Sequence, residues 1–184
     1  MLCARRLLAT ALLAGGALVA TSLPAVAATA TATLTGGTLG FVSAPANPGF
    51  NVSLTGKDAV AAATQTFDVS DATGSGAGWN ITATTTTFTA GSNSLSPTSV
   101  TVQAVPTLAC DSGASCTAAT NGVSYPYTLP AGPSAPTATK IFSAAANTGL
   151  GNQTVTLVFQ LAIPANAFSG NYSSTWTYTL VSGP

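Results

Sequence analysis

Near the end of the chain stands Tyr172-Ser173-Ser174-Thr175-Trp176-Thr177-Tyr178-Thr179-Leu180, in which large residues alternate with small polar ones. In a β-strand successive side chains point to opposite faces, so this period of two places the aromatic residues and Leu180 together. The Ser and Thr side chains share the other face. The pattern predicts a half-buried strand whose aromatic face lies in the core.

The segment before it alternates in the same way, with its apolar face formed by Val155, Leu157, Phe159, Leu161 and Ile163. Residues 164–171 connect the two segments and include Gly170, so we expect an antiparallel hairpin. Shorter alternations occur upstream, at residues 31–35, 50–54, 67–69, 79–83 and 100–104. The alternation loses its phase between Ala83 and Phe88, which predicts a bulge. Together these segments predict an all-β fold, an Ig-like antiparallel β-sandwich of about eight or nine strands.

The first residues are typical of an export signal. Arg5 and Arg6 precede an apolar run that ends at Leu23, and Ala25 and Ala27 form a small-residue cleavage site. We expect a signal peptide over residues 1–27 and one β-sandwich domain over 28–184, with an irregular excursion at 106–137. The alternative for residues 1–27 is an uncleaved membrane anchor. After cleavage we expect no membrane association, because no later segment is apolar enough to span a bilayer.

The amino-acid composition excludes several classes of function. The chain of 184 residues has four Lys and Arg, four Asp and no His. Removal of Arg5 and Arg6 leaves two lysines against four aspartates, a net charge of −2. Two lysines cannot form a basic stripe for nucleic acid. Without an imidazole there is no His-dependent nucleophile and no ordinary zinc site, so we expect no catalytic residues, no metal and no cofactor.

Two cysteines remain after signal cleavage. Cys110 and Cys116 are an even pair in an exported chain, which predicts a disulfide that closes a short loop. The alternative is two free thiols.

Two acidic segments admit a chemical and a structural interpretation. The glycine-rich segment 68–78 contains Asp68 and Asp71, either as calcium ligands or as part of a hairpin turn. Asp111-Ser112-Gly113 is similar to the motif of aspartic proteases, but a single copy lacks the second carboxylate of that site. We therefore expect turns at both places.

Aromatic residues are the candidates for binding. Flat aromatic faces can stack on sugar rings, which makes Trp79, Trp176, Tyr178, Tyr125 and Tyr127 candidate glycan contacts. Trp176 and Tyr178 equally suit the core, whereas the tyrosines beside Pro126 suit an exposed loop.

Two stretches resemble the WxL-domain family of secreted bacterial wall-binding proteins. The first, Asp71-Ala72-Thr73-Gly74-Ser75-Gly76-Ala77-Gly78-Trp79-Asn80-Ile81-Thr82, is similar to the family's glycine-rich turn and first Trp-x-Leu motif, with Ile81 in place of Leu. The second, residues 172–184, is similar to its closing strand, with Tyr178 where Trp is expected and Trp176 two residues earlier. The resemblance implies non-covalent attachment to peptidoglycan at the cell surface.

These observations predict a non-catalytic, exported surface protein whose partner is peptidoglycan or another cell-wall glycan, with other surface proteins as further candidate partners. The alternative is a structural subunit or adhesin of an extracellular fibre, with residues 29–35 as a donated strand. A small secreted enzyme would have to depend on Asp68, Asp71 and Asp111.

Overall fold

Alternating apolar and polar residues form strands throughout the part of the chain that the computed structural model describes, residues 29–184. The predicted signal peptide, residues 1–27, lies outside the described residues. Residues 35–184 form one compact unit, and residues 29–34 belong to a separate one and have no regular secondary structure. The described residues contain no helix, and therefore none long and apolar enough to cross a membrane. The predicted all-β class is confirmed.

The strands number twelve in chain order. They are β1 Leu39–Phe41, β2 Ala59–Asp71, β3 Trp79–Thr86, β4 Thr89–Ala90, β5 Asn93–Ser94, β6 Val100–Val102, β7 Thr107–Cys110, β8 Tyr127–Thr128, β9 Ala131–Gly132, β10 Thr139–Ala144, β11 Gly151–Ile163 and β12 Trp176–Ser182. Four of them have only two residues, which accounts for the excess over the expected eight or nine.

Two sheets form a β-sandwich. The first has the order β1-β2-β11-β6-β8, with β7 also paired to β11, and its two longest strands pair antiparallel from Gly151↔Asp71 to Ile163↔Ala59. The second has the order β10-β3-β12, with β9 parallel to the end of β3. A separate hairpin joins β4 to β5.

The core lies between the two sheets and is formed by the inward faces of the long strands. Phe67 of β2, Phe159 of β11 and Ile81 of β3 are all fully or almost fully buried. The outward residues of β2 are exposed over most of its length, as the period of two requires. The alternation in the sequence therefore correctly separates the core from the surface in these strands.

The predicted hairpin of the last two strands is wrong, because β11 and β12 belong to different sheets. Both sides of β11 are already paired, with β2 on one side and with β6 and β7 on the other. The two apolar faces instead meet across the core, where the rings of Phe159 and Trp176 stand edge to face at 5.0 Å. The long connection after Ile163 allows the chain to cross between the sheets.

The predicted bulge after Ala83 is present: Thr85 pairs with Trp176 whereas Thr89 pairs with Ser173, so one extra residue stands on the β3 side, at Thr87–Phe88. A second irregularity lies in β10, between Lys140 and Phe142. Two other local predictions are wrong, because residues 31–35 and 50–54 are not strands. Short alternating runs form strands only where a neighbouring strand accepts their backbone hydrogen bonds, and neither run has such a neighbour.

The irregular excursion, residues 106–137, contains the short strands β7, β8 and β9. The Cys110–Cys116 disulfide is present, with the two Cα atoms 5.6 Å apart, so the predicted pairing is confirmed. Its loop is tied to the start of β11, since the N–H of Asp111 donates to the carbonyl of Asn152 at 3.1 Å. A Cβ on Gly151 would lie 2.8 Å from the carbonyl oxygen of Ser115, so glycine is required for this close packing.

Candidate functional site

An open groove of about 730 Å³ lies at the end of the sandwich where β11 terminates. Its walls are two segments without strand structure, 48–54 and 167–172, and its floor includes Leu161 and Ile163 of β11. The carboxylate of Asp58 accepts a hydrogen bond from the N–H of Ala165 at 2.7 Å, which fastens the second wall to the start of β2. The groove is therefore held by long-range contacts and not by a single loop.

Aromatic rings connect the lining of the groove to the core of the sandwich. Phe50 and Phe88, which both line it, stand edge to face at 5.8 Å, and each also contacts the indole of Trp176, in both cases at 6.4 Å. Trp176 itself packs on Phe159 in the core. This stack connects the groove wall to the centre of the sandwich, so the wall is stiff.

Two further aromatic residues face the opening. Phe168 is 69% exposed, an unusual position for a phenylalanine in a folded domain. The hydroxyl of Tyr172 donates to the carbonyl of Phe168 at 3.0 Å, which fixes the two residues relative to each other. The bond holds the ring of Tyr172 and the backbone of Phe168, and rings presented by an ordered segment can stack on a ligand at a low cost in conformational entropy.

The polar part of the lining is neutral. Asn51, Ser53, Ser169 and Asn171 supply amide and hydroxyl groups at the rim, and none of the lining residues carries a charge. Apolar rings with a few neutral hydrogen-bonding groups are the chemistry of a site for uncharged, ring-shaped ligands such as sugars. Tyr172 is the one titratable residue of the lining, so the groove contains no pair of acid and base.

Trp79 lies far from this groove. Its side chain is fully buried at the other end of β3, against Phe142, and its indole N–H donates to the carbonyl of Gly149 at 2.9 Å. A ring with no exposed surface cannot stack on a glycan. Trp79 is thus a core residue in this structure and is not accessible for binding.

Trp176 and Tyr178 lie half-buried on the inward face of β12. Trp176 reaches the groove only through Phe50 and Phe88. Tyr178 packs edge to face on Phe67 at 4.9 Å, and its hydroxyl is buried without a hydrogen-bond partner among the described residues. This burial raises the pKa of Tyr178 well above its usual range.

Tyr125 and Tyr127 belong to the excursion, on the side of the sandwich near β6 and β10. The Tyr125 hydroxyl donates to the carbonyl of Ile141 at 2.6 Å, and burial raises the pKa of Tyr125 to about 12. Tyr127 pairs with Val102 at the edge of the first sheet. Neither ring makes an aromatic contact with Trp176 or Tyr178, so the five candidates do not form one surface.

The groove residues were not among the candidates, although one signal for them was present. Phe168 stands between Ala167 and Ser169 in a turn-rich connection, where a large apolar side chain has no strand face to join. Such a ring is exposed unless the fold covers it. No pattern in the sequence indicates that segment 48–54 forms part of the groove, because the other residues that line the groove lie more than thirty positions away in the chain.

The aspartates do not form a site together. Asp68 and Asp71 lie on opposite faces of β2, and the Asp71 carboxylate accepts hydrogen bonds from the N–H and the hydroxyl of Thr73 at 3.0 and 2.6 Å. The first carboxylate therefore cannot join the second around a calcium ion, and the glycine-rich segment is a hydrogen-bonded turn. Within residues 29–184, no group of three or more His, Cys, Asp or Glu residues is suited to hold a metal.

Asp68 has a different neighbour. It pairs across the sheet with Thr154, whose hydroxyl donates to the Asp111 carboxylate at 3.0 Å. Loss of hydration raises the pKa of Asp68, and the nearby charge and hydrogen bond of Asp111 raise it further. This pair lies on the outer face of the first sheet and is not part of the groove.

Comparison with protein families gives one match. The family model described as "WxL domain surface cell wall-binding" matches residues 42–184. No curated protein and no solved structure matches the chain. The matched range includes both walls of the groove, the disulfide loop and β12.

Proposed function

The chain belongs to the WxL family of surface cell-wall-binding domains, and on that premise we propose that it is an exported, non-catalytic protein that binds peptidoglycan glycan non-covalently. The family match over residues 42–184 is the observation that carries this proposal. The signal sequence supports export, and the chain's lack of histidine supports binding without catalysis.

We assign the binding site to the groove. Phe168 offers an exposed apolar face, and Asn51 and Asn171 offer amides that can both donate to and accept from sugar hydroxyls. Glycan strands are long and uncharged along their ring faces, so an open groove suits them better than a closed pocket. Trp176 supports the wall through Phe50 without touching the ligand.

The neutral lining predicts which ligands the groove prefers. Without a lysine or arginine among its lining residues, the groove gains little from the anionic groups of wall polymers. Its affinity must come from stacking and from neutral hydrogen bonds. Sugar rings with an accessible apolar face are therefore the favoured ligands.

Sedimentation with purified peptidoglycan tests the assignment. Phe168→Ala removes the exposed ring and should lower the bound fraction at least about tenfold, while the melting temperature changes little because the side chain is mostly in solvent. The matched control is Val105→Ala, which truncates a side chain that is 73% exposed and does not line the groove. Equal binding of both variants and the wild type would refute the assignment to the groove.

A further inference from the structure

Strand β12 leaves one edge of the second sheet open. It pairs with β3 in an unbroken register from Trp176↔Thr85 to Ser182↔Trp79, and no strand of the described residues pairs with its other side. An unpaired edge is a template for another chain unless charges, proline or a bulge protect it. β12 has seven residues, without charge, proline or register shift.

The other edges of the two sheets differ from β12. The opposite edge strand of the second sheet, β10, contains Lys140 and a register shift directly after it. The remaining edge strands, β1, β7 and β8 in the first sheet and β9 in the second, have only two to four residues. Charge, a bulge and short length are the features that discourage pairing between sheets. β12 has none of them, and although Cα atoms of β1 approach it within 8 Å, β1 does not pair with it.

The chain also contains a strand-like segment that pairs with no strand of residues 29–184. Residues 29–35 read Thr29-Ala30-Thr31-Ala32-Thr33-Leu34-Thr35, are exposed throughout and form no strand. Leu34 is 90% exposed, the highest value among the large apolar residues of the described chain. The segment has seven residues, as β12 does, and its alternation is that of a strand with one apolar face.

We propose that residues 29–35 of one copy of the chain pair with β12 of a second copy and extend its second sheet by one strand. The two segments have matching faces. Ala30, Ala32 and Leu34 would continue the inward face of β12, where small side chains fit beside its aromatic residues. The threonines would continue the outward face, beside Thr177 and Thr179, as cross-strand Thr–Thr pairs.

The proposed exchange is reciprocal: each copy has one donor segment and one open edge, and an exchange between two copies leaves neither unpaired. Reciprocal pairing gives a closed dimer with two identical interfaces. Neither segment carries a charge, so nothing repels the added strand. The dimer presents two grooves to a repetitive wall, and two linked sites bind more tightly than one.

Sedimentation equilibrium of the purified, exported chain, without wall material, tests the proposal independently of wall binding. The wild type should show a monomer–dimer equilibrium. Ala32→Pro removes a backbone donor outside the compact unit, so it should abolish the dimer without changing the melting temperature of the domain. A wild type that is monomeric at all concentrations, or a proline variant that dimerises normally, would overturn the proposal.

Paired charges test the location of the contact. Thr33 and Thr179 are exposed and share the outward face of the proposed pairing. Thr33→Lys with Thr179→Lys should weaken the dimer about tenfold at low salt, and Thr33→Asp with Thr179→Lys should restore it. The matched control is Thr33→Lys with Thr66→Lys, because Thr66 is exposed on the outer face of the first sheet. The same dissociation constant for all three double variants would contradict pairing at β12.

Discussion

Replacement of Trp79 separates a structural role from a binding role for the first tryptophan of the family motif. Its side chain is fully buried and its indole N–H is bonded to the Gly149 carbonyl at 2.9 Å. Trp79→Ala creates a large cavity, which costs about 3–5 kcal/mol. The carbonyl left without its donor adds roughly 1–3 kcal/mol. The sum, roughly 4–8 kcal/mol, is a large share of the stability of a domain of this size, about 5–15 kcal/mol.

Trp79→Phe is the more informative variant, because it keeps an aromatic ring in the core. It loses the hydrogen bond to Gly149 and some packing against Phe142, so we expect a loss of roughly 2–3 kcal/mol. Urea denaturation followed by the fluorescence of Trp176 measures this loss directly. The alanine variant should be secreted poorly or be degraded.

Each folded molecule of the Trp79→Phe variant should bind peptidoglycan as tightly as the wild type does. Trp79 and Thr86 are the two ends of β3 and are separated by about 24 Å of extended chain, with the groove beyond Thr86. A Trp79→Phe protein with the unfolding midpoint of the wild type and no wall binding would refute the core assignment. That result would mean that the indole contacts the ligand.

Three further results are expected. Tyr178→Phe removes a buried hydroxyl without a partner, so it should leave stability unchanged or raise it by about 1 kcal/mol in urea denaturation; a loss above about 1 kcal/mol would mean that the hydroxyl is bonded. The pKa of Asp68 in the folded protein is raised above its ordinary value of 3.8. The stability that the protonated Asp68 side chain contributes is therefore complete below pH 3.8 and is lost as the pH rises through the folded-state pKa. Asp68→Asn should therefore gain in melting temperature relative to the wild type over this rise, and a difference that is constant with pH would contradict the raised pKa of Asp68. Cys110→Ser with Cys116→Ser should cost at most about 2 kcal/mol, because the loop is short, and a larger loss in urea denaturation would show that the disulfide also orders the start of β11.

The sequence predicted the long strands well, because their alternation extends over many residues. In β11 the pattern from Val155 to Ile163 identifies the inward residues of that stretch but misses Gln153, a polar residue that is also inward and buried, and in β12 it identifies the inward face. Alternation says nothing about which strands pair. The predicted hairpin is wrong because strands that are adjacent in the chain need not pair. Both sides of β11 are paired with other strands, so β12 lies in the other sheet.

The site was less predictable than the fold. Residue type alone identifies the aromatic candidates, and type does not distinguish Trp79 in the core from Phe168 in solvent. The groove joins segments 48–54 and 167–172, which only the folded sandwich brings together. The disulfide was predictable because Cys110 and Cys116 are close in sequence and no other pairing is available after export.

The proposed function requires that the chain bind peptidoglycan glycan through neutral contacts. A binding isotherm on peptidoglycan stripped of proteins and anionic polymers tests it most directly, at low salt and again at high salt. The uncharged groove, and the charge of −2 expected once the predicted signal peptide is removed, predict saturable binding that varies little with salt and disappears when the glycan strands are digested. The absence of binding to stripped peptidoglycan, or complete release by salt alone, would contradict the claim.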